Sequence, residues 1–362
     1  MIDGRSEIRP LLSIEGLRFI SSVAIVYTHL SMYPMGGQPL GGGLRIFVDL
    51  FFVISGIVIT TAYGSRVGTL PEYGLYLQRR FARLYPLHFA TMMVFLGIAA
   101  LAWAGKIQVN NPDKYDPQQF LLYMTLTQAW FGNGSIAWNA VSWSISAELV
   151  AYILFPALLL ILRGGAFRGA SAVFAMLAVA VLLARLLLDQ EVTLLASKVS
   201  WLRCIPSFAA GIWLAHNQAS VGKIGGTAGR LLLYGGSGLL VGKLAFDLPE
   251  LVGLMAVWGL VAGAYACDLH GVRTLPSINA ISSQGRLTYS LYLIHPIVGT
   301  IWMSFLAPKV GGVIFYNMWV DVAVGFALTF IISHFSFVYF EEPFRKLLGR
   351  PVFRARDPRL GA

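Results

Sequence analysis

Hydrophobic residues in this chain fall into long runs that short polar segments separate. Many of these runs are about twenty residues long, which is the length that an α-helix needs to cross the hydrocarbon core of a bilayer. We therefore predict ten spanning helices, over residues 14–33, 44–63, 84–104, 140–162, 170–188, 199–217, 229–246, 250–267, 287–306 and 317–340. The pattern indicates an all-α polytopic membrane protein, a bundle of about ten transmembrane helices.

The polar segments between the runs are too short to form a soluble domain. We predict one membrane domain over residues 1–346, followed by a short basic cytoplasmic tail over residues 347–362. The first run ends without a small-residue cleavage pattern, so we expect it to remain in the membrane. The apolar segment 120–131 is too short to span a bilayer, and we interpret it as re-entrant or interfacial.

Composition supports the membrane assignment, since 57% of the residues are hydrophobic and only 12% are charged. A soluble domain could not bury so much apolar surface. The two cysteines, Cys204 and Cys267, show neither disulfide nor metal-ligand spacing, so we expect them to fill packing space and predict no metal site. Ser55 and Gly56 are interpreted as small residues that let two helices pack closely.

The positive residues are distributed unevenly between the two sides of the predicted bundle. The formal net charge is +10, and 18 of the 27 Lys and Arg residues fall on the side that carries the N-terminus. Positive residues concentrate on cytoplasmic loops, so this asymmetry predicts that both termini are cytoplasmic. It leaves no basic stripe with interleaved aromatic residues, and we therefore expect no nucleic-acid partner.

Three ionisable residues, Arg18, His29 and Asp49, lie inside the first two predicted spans. An ionised group at membrane depth costs a few kcal/mol, so such residues usually face a protein interior or a watery cavity. The eleven residues from Arg18 to His29 correspond to about 1100° of helical rotation, which puts both side chains on nearly the same face. One groove could then contact both, at positions about 16 Å apart along the helix axis.

A carboxylate near His29 would fix the tautomer of the imidazole and raise its basicity. Asp49 and Glu148 are the candidates, because both are expected near the outer ends of their spans, at a depth similar to that of His29. The three spans are therefore predicted to converge on one polar cluster in the outer half of the bundle. An alternative remains open, in which Arg18, Asp49 and Glu148 only pair with one another and hold the helices together.

Three arginines, Arg79, Arg80 and Arg83, stand immediately before the third predicted span. Arg79 and Arg83 share a helix face at i and i+4 spacing. Guanidinium groups beside a helix start suit phosphates, because bidentate hydrogen bonds and the helix dipole act together. Arginines next to a span also serve as topology anchors, and these residues alone leave both interpretations open.

The other histidines are weaker candidates for chemistry. His88 and His334 lie near the inner ends of their spans, where an interfacial role is expected. His295 precedes Pro296, at a depth that we estimate to be nearer the inner side of the bundle. We interpret it as a structural residue that makes a hydrogen bond at the turn weakened by the proline.

Six motifs follow one another along the chain. They are IEGLR (14–18) with His29, FVDLFFVISG (47–56), RRFARLYP (79–86), WSISAE (143–148), YSLYLIHP (289–296) and EEPFRK (341–346). With these motifs the chain resembles the acyltransferase 3 family, the integral-membrane O-acyltransferases of bacterial cell-surface sugars and related substrates. The resemblance extends from about residue 12 to residue 346. Two positions depart from the family pattern, since Glu15 stands where Asp is frequent and Leu149 where a second acidic residue often follows Glu148.

The resemblance implies transfer of an acyl group, acetyl by default, from a cytoplasmic acyl-CoA to a hydroxyl of a carbohydrate or glycolipid acceptor. Acetyl-CoA is then the donor substrate, membrane lipid surrounds the protein, and the bacterial inner membrane is the expected location. The phosphates of CoA are expected on Arg79, Arg80 and Arg83. Arg18 is expected to bind the donor or to stabilise negative charge.

His29 is then expected either to take the proton from the acceptor hydroxyl or to accept the acyl group as a transient acyl-imidazole, with Asp49 or Glu148 orienting it. The sequence leaves both routes open, together with the acceptor, the acyl group and the oligomeric state. A secondary transporter or lipid flippase is the alternative function, since it would also need ionisable groups in a cavity. Transporters often contain internal repeats, and this sequence shows no convincing one.

Overall fold

All regular secondary structure in the described part of the chain is helical. The computed structural model describes residues 11–33, 42–109, 111–274, 280–314 and 317–351. The α-helices are α1 (Leu12–Ser31), α2 (Phe47–Tyr63), α3 (Leu70–Trp103), α4 (Pro117–Met124), α5 (Gln128–Phe131), α6 (Trp143–Leu162), α7 (Ala166–Leu188), α8 (Trp201–His216), α9 (Gln218–Val221), α10 (Gly225–Phe246), α11 (Glu250–Leu269), α12 (Thr288–Val298), α13 (Ala307–Ile314), α14 (Met318–Ser336) and α15 (Glu342–Leu348). Two π-helical segments, Gly299–Leu306 and Phe337–Glu341, join α12 to α13 and α14 to α15.

Seven helical segments among the described residues are long and apolar enough to cross a membrane, and the chain is a multi-pass membrane protein. They are Leu44–Tyr63, Leu70–Trp103, Ala140–Leu162, Ala166–Leu188, Glu250–Leu269, Ser282–Val310 and Met318–Leu348. A helix is present at each of the ten positions expected from the sequence, but α1, α8 and α10 are not among these seven. The count of ten spans and the cytoplasmic location of both termini therefore stay predictions.

The third span begins much earlier than the sequence pattern suggested. α3 starts at Leu70, where Thr69 and Glu72 form a capping box in which each side chain accepts a hydrogen bond from the other residue's backbone N–H. The cap lies in a polar segment, which the search for apolar runs excluded. Arg79, Arg80 and Arg83 are therefore interior residues of a 34-residue helix, and the dipole of a helix N-terminus does not act on them.

One end of the bundle, which we call the basic end, contains the arginine cluster of α3. There the carboxylate of Asp268, in the last turn of α11, accepts hydrogen bonds from the backbone N–H groups of Ser13 and Ile14 in the first turn of α1. Nearby, Gln78 of α3 donates a hydrogen bond to the carbonyl of Leu348 at the end of α15. These hydrogen bonds join the start of α1 to the end of α11, and α3 to the end of α15, at the basic end.

The other end, which we call the opposite end, is held by a chain of ion pairs. Glu250 at the start of α11 lies 3.0 Å from both Arg45, which precedes α2, and Lys243 of α10. Lys243 and Glu250 are mostly buried, with 3% and 11% of their side chains exposed. The network ties the segment that precedes α2 to α10 and α11.

Two glycines allow α2 and α8 to touch through their backbones. A Cβ atom on Gly56 would clash with the carbonyl oxygen of Phe208, and one on Gly211 would clash with the carbonyl oxygen of Val53. The prediction of close packing is thus confirmed for Gly56. Ser55 instead lies 3.4 Å from the hydroxyl of Tyr152, on the side of α2 that faces a cavity.

Gly211→Ala is expected to lower the free energy of unfolding by about 1–3 kcal/mol, because the added methyl group forces two backbones apart. Gly238→Ala in α10 is the matched control, since a Cβ at Gly238 meets nothing within 4 Å. Thermal unfolding of both variants in detergent measures the effect. Equal melting temperatures for the two variants would contradict the close contact.

The segment 120–131 is divided between two short helices, α4 and α5, with a turn at residues 125–127. It is therefore not a spanning helix, and its position relative to the bilayer stays a prediction. The expected basic tail, residues 347–362, lies mostly outside the described residues.

Candidate active site

A cavity of about 190 Å³ lies between α1, α2, α3, α6 and α12, and arginines and one carboxylate line it. Its charged lining residues are Arg18, Arg80, Arg83 and Glu148. Its polar lining also includes Ser55, Ser144, Tyr152, Thr288, Tyr289 and Tyr292. The structure thus brings Arg18, Arg80, Arg83 and Glu148 together around one cavity inside the bundle.

A second cavity, of about 300 Å³, lies at the basic end and shares Arg18 and Arg83 with the first. Its lining contains four arginines and three glutamates along with two serines and one phenylalanine. They are Arg18, Arg83, Arg286, Arg345, Glu15, Glu341, Glu342, Ser282, Ser283 and Phe337. The two cavities therefore meet at a pair of guanidinium groups.

The arginines of the first cavity differ in how they are held. Arg18 donates to both carboxylate oxygens of Glu15, at 2.8 and 3.0 Å, and to the hydroxyl of Thr288. Arg80 donates to the hydroxyl of Tyr63 at 3.2 Å and lies over its ring. Within the described residues, neither Arg80 nor Arg83 forms an ion pair with a carboxylate. Both can therefore offer charge to an anionic ligand.

Arg79 lines neither cavity, although the sequence grouped it with Arg80 and Arg83. Because α3 is already helical at this point, neighbouring residues are rotated by about 100° from one another and point in different directions. Arg80 and Arg83, three residues apart, face the cavity together. The expected phosphate-binding role of Arg79 has no support in this geometry.

His29 and His295 contact each other at the opposite side of the bundle from the basic end. His29 Nδ1 lies 3.0 Å from His295 Nε2, and the two rings stack with centroids 4.9 Å apart. His295 Nδ1 lies 3.0 Å from the carbonyl oxygen of Leu291. His295 is fully buried, whereas His29 is only partly buried.

These contacts assign a tautomer to each ring. A carbonyl oxygen can only accept, so His295 Nδ1 must carry the hydrogen that points to Leu291. In the neutral ring, His295 Nε2 is then an acceptor, and His29 Nδ1–H donates to it. His29 Nε2 is left with its lone pair, which is the form that a general base or a nucleophile requires.

The expected depth of His295 was wrong, since it lies level with His29 and not near the inner side. The structural hydrogen bond that we expected is present, on Leu291, but the second ring nitrogen has a further partner. The motif around His295 and Pro296 was recognised in the sequence. The sequence places His295 near the middle of a span that begins at the basic end, and this position alone does not determine the depth of His295.

Asp49 does not contact His29, in contrast to the expectation. It pairs with Arg203 of α8, whose Nε lies 3.1 Å from both carboxylate oxygens and whose Nη2 lies 2.6 Å from Oδ2. Arg203 also donates to the carbonyl oxygen of Arg45 at 3.0 Å, and both members of the pair are buried. A buried carboxylate and a buried guanidinium form an ion pair, because either charge would be strongly destabilised without the other.

Glu148 also lies away from His29, among the residues of the first cavity. Glu148 lines this cavity together with Ser55 and Tyr152, and its carboxylate interacts electrostatically with Arg80 and Arg83. The predicted convergence of three spans on one outer cluster is therefore wrong. Rotation of each helix about its axis decides which way a side chain points, and estimates of depth alone cannot supply it.

Tyr292 connects the first cavity with the histidine pair. Its hydroxyl lies 2.8 Å from Ser144 Oγ and donates to the carbonyl oxygen of Val141, while its ring lies 6.0 Å from that of His295. His29 itself is not part of the lining of either cavity. Neither cavity therefore contacts both Arg18 and His29, and Tyr292 lies between the first cavity, which it lines, and the ring of His295.

A family model and one of two relatives identify the chain as similar to acyltransferases. A family model described as an acyltransferase domain matches residues 11–337. "Acyltransferase MdmB" from Streptomyces mycarofaciens is 24% identical over 383 residues, which covers 96% of this chain and 95% of that protein. "Protein 2 in picA locus" from Rhizobium radiobacter is 28% identical over 154 residues, or 39% of this chain and 78% of that protein. No solved structure matches the chain.

Proposed function

The chain belongs to the acyltransferase 3 family, and from this premise we propose that it transfers an acyl group from a cytoplasmic acyl-CoA to a hydroxyl of a cell-surface carbohydrate or glycolipid. It is a multi-pass membrane protein with the family's acyltransferase domain. The observation that carries the proposal is the meeting of two cavities at Arg18 and Arg83. Acetyl is the proposed acyl group, and the bacterial inner membrane is the proposed location.

The donor is proposed to enter at the basic end, which is then the cytoplasmic end. CoA is a polyanion, and guanidinium groups bind phosphates through paired, charge-assisted hydrogen bonds. Arg83 and Arg18 border both cavities, and Arg80 lines the inner one. The phosphates would bind among these arginines while the thin pantetheine arm extends into the first cavity toward Tyr292.

The chemistry is proposed to take place at His29. In direct transfer, Nε2 takes the proton from the acceptor hydroxyl as its oxygen bonds to the thioester carbonyl carbon, and the C–S bond breaks. The proton then passes to the CoA thiolate. In the two-step route, Nε2 itself forms the bond to the carbonyl carbon, and the C–S bond breaks to release the CoA thiolate. The oxygen of the acceptor hydroxyl then bonds to the acyl carbon as the C–N bond breaks, and its proton passes to Nε2 and on to the thiolate.

His295 is proposed as the residue that positions His29. Its Nε2 accepts the hydrogen bond from His29 Nδ1, so the reactive nitrogen of His29 is Nε2 in either route. Asp49 and Glu148 are not proposed to orient the ring. Glu148 lines the donor cavity, and its carboxylate offsets part of the positive charge of Arg80 and Arg83.

The proposal is tested with purified protein, radiolabelled acetyl-CoA and envelope glycan from a strain that lacks the gene. We expect release of CoA together with label on the glycan, and a mass increase that identifies the acyl group. Glycan or lipid movement across proteoliposomes without consumption of the thioester would favour the transporter or flippase alternative instead.

Arg83→Gln is expected to raise the KM for acyl-CoA by about 10- to 100-fold, because a charge-assisted hydrogen bond to phosphate contributes about 1.5–3 kcal/mol. The turnover number at saturating donor should change much less. Initial rates over a range of acetyl-CoA concentrations measure both parameters.

Two further variants serve as comparisons for Arg83→Gln. Arg66→Gln removes an exposed arginine from the loop after α2 and should leave the KM within about twofold, since surface charges interact weakly. Arg79→Gln distinguishes the expectation from the sequence, in which Arg79 binds phosphate, from the structure, in which Arg79 lines neither cavity. If Arg79→Gln raises the KM as much as Arg83→Gln does, the donor phosphates do not bind in the cavities described here.

A further inference from the structure

A lysine is enclosed at the opposite end of the bundle, close to the histidine pair. Lys114 lies in the short 3₁₀ helix Pro112–Tyr115 between α3 and α4, and its side chain is partly buried. The ammonium donates a hydrogen bond to Thr300 Oγ1 at 3.2 Å. It also lies 4.6 Å from the centroid of the Phe95 ring and 5.8 Å from that of Tyr115.

Lys114 has no acidic partner in the described part of the chain, where no carboxylate forms an ion pair with it. An ammonium has three N–H donors, and the described contacts satisfy one of them with an oxygen. Burial lowers the pKa of the Lys114 ammonium from its ordinary value to about 8.

Lys114 is connected to the reactive histidines through α12 and α1. Thr300 donates a hydrogen bond to the carbonyl oxygen of Pro296, the residue after His295. Along the helix axis, Thr300 lies about 7 Å beyond His295. Tyr33, one turn beyond His29, packs its hydroxyl against Gly299. Lys114 therefore lies about one helical turn from the histidine pair, on the side away from the basic end.

Resting on the function proposed above, we infer that Lys114 and Thr300 form an acceptor subsite that binds an anionic group, a carboxylate or a phosphate, so that a neighbouring hydroxyl reaches His29. A partly buried cation without a counter-ion loses part of its hydration, and an anionic ligand supplies the missing partner. The ammonium can donate its remaining N–H groups to such a ligand, since the described contacts with Phe95 and Tyr115 offer it no oxygen acceptor. An acceptor without the anionic group would lose this contact and bind less tightly.

The test measures ligand-dependent thermal stability of the full-length protein in detergent, which requires no turnover. CoA is kept at saturation so that it occupies the arginines of the donor cavities, and ionic strength is held constant. Glucuronate and inorganic phosphate are the anionic probes, and glucose is the neutral one. We expect one or both anions, and not glucose, to raise the melting temperature, because a ligand that binds only the native state stabilises it.

Three variants assign any anion effect to the subsite. Lys114→Met should abolish the anion-dependent shift, Lys114→Arg should retain it, and Lys309→Met, which changes an exposed lysine of α13, should leave it intact. Comparison of the melting-temperature shift with glucuronate and the shift with phosphate tells whether the acceptor's anionic group is a carboxylate or a phosphate. The absence of an anion shift in the wild-type protein, or an equal shift in Lys114→Met, overturns the inference.

The same experiment separates this inference from the proposed function. Stabilisation by CoA alone reports the donor site, so its absence counts against the proposed function and not against Lys114. With envelope glycan as acceptor, Lys114→Met should raise the acceptor KM by about 10- to 100-fold while leaving the acyl-CoA KM within about twofold. An unchanged acceptor KM also overturns the inference.

Discussion

His29→Ala is expected to lower the rate of acyl transfer by about 10²- to 10⁴-fold while the protein remains folded and binds acyl-CoA normally. The expectation rests on the tautomer that the hydrogen bonds impose. His29 Nδ1–H donates to His295, so the lone pair of His29 is on Nε2, where it can accept a proton or an acyl group. Alanine removes that nitrogen and leaves the donor cavities, which do not include His29, unaltered.

The measurement is the single-turnover rate with labelled acetyl-CoA, combined with CoA-dependent thermal stabilisation as a test of folding and donor binding. His216→Ala is the matched control, since His216 is exposed at the end of α8 and should retain full activity. A folded His29→Ala protein that binds CoA and turns over at the wild-type rate would remove His29 from the mechanism.

Variants of His295 reveal how His29 is positioned. His295→Ala should lower kcat and leave the acyl-CoA KM unchanged, because His29 loses the acceptor that fixes its ring. His295→Gln should recover part of the activity, since an amide oxygen can accept the hydrogen bond from His29 Nδ1. If Gln and Ala were equally inactive, the contribution of His295 would not be its acceptor atom.

The positions of the helices could be predicted from the sequence because bilayer thickness sets a minimum length for an apolar helix. Each of the ten predicted runs contains a helix. The start of α3 at Leu70 was missed, because its signal is a capping box of two polar residues, Thr69 and Glu72, outside the apolar run. A search for capping residues upstream of the run would have found it.

The structure brings only part of the predicted candidate site together. Arg18, Arg80, Arg83 and Glu148 share one cavity, whereas the partner of His29 is His295. Hydrophobic runs give the approximate depth of a residue and leave the rotation and tilt of each helix undetermined. Contacts between residues 266 positions apart, such as His29 with His295, depend on both quantities.

Asp49→Asn is expected to lower the free energy of unfolding by about 3–5 kcal/mol, because it leaves the guanidinium of Arg203 buried without its counter-ion. Both side chains are almost completely inaccessible, with 0% and 2% of their surface exposed. Arg203→Met should have a similar cost, since it leaves the Asp49 carboxylate unpaired. Chemical or thermal unfolding of each variant in detergent measures the loss.

The double variant Asp49→Leu with Arg203→Met removes both charges and keeps similar volume. It should recover most of the stability lost in either single variant, since an apolar pair can replace a buried ion pair at little cost. With Asp49→Leu and Arg203→Met as the two single variants, the difference between the sum of the single effects and the double effect gives the coupling energy of the pair. A double variant as unstable as that sum would mean that the two residues act independently.

Activity of the same double variant separates the two roles considered for Asp49. If Asp49 only holds α2 against α8 through Arg203, the refolded packing leaves His29 and His295 in place, and acyl transfer should stay within about tenfold of the wild-type rate. If Asp49 acts on His29 during the reaction, as the sequence suggested, the double variant should be stable and yet lose about 10²-fold or more of its rate. Among the described residues, the side-chain hydrogen bonds of Asp49 go to Arg203, so we expect the first result.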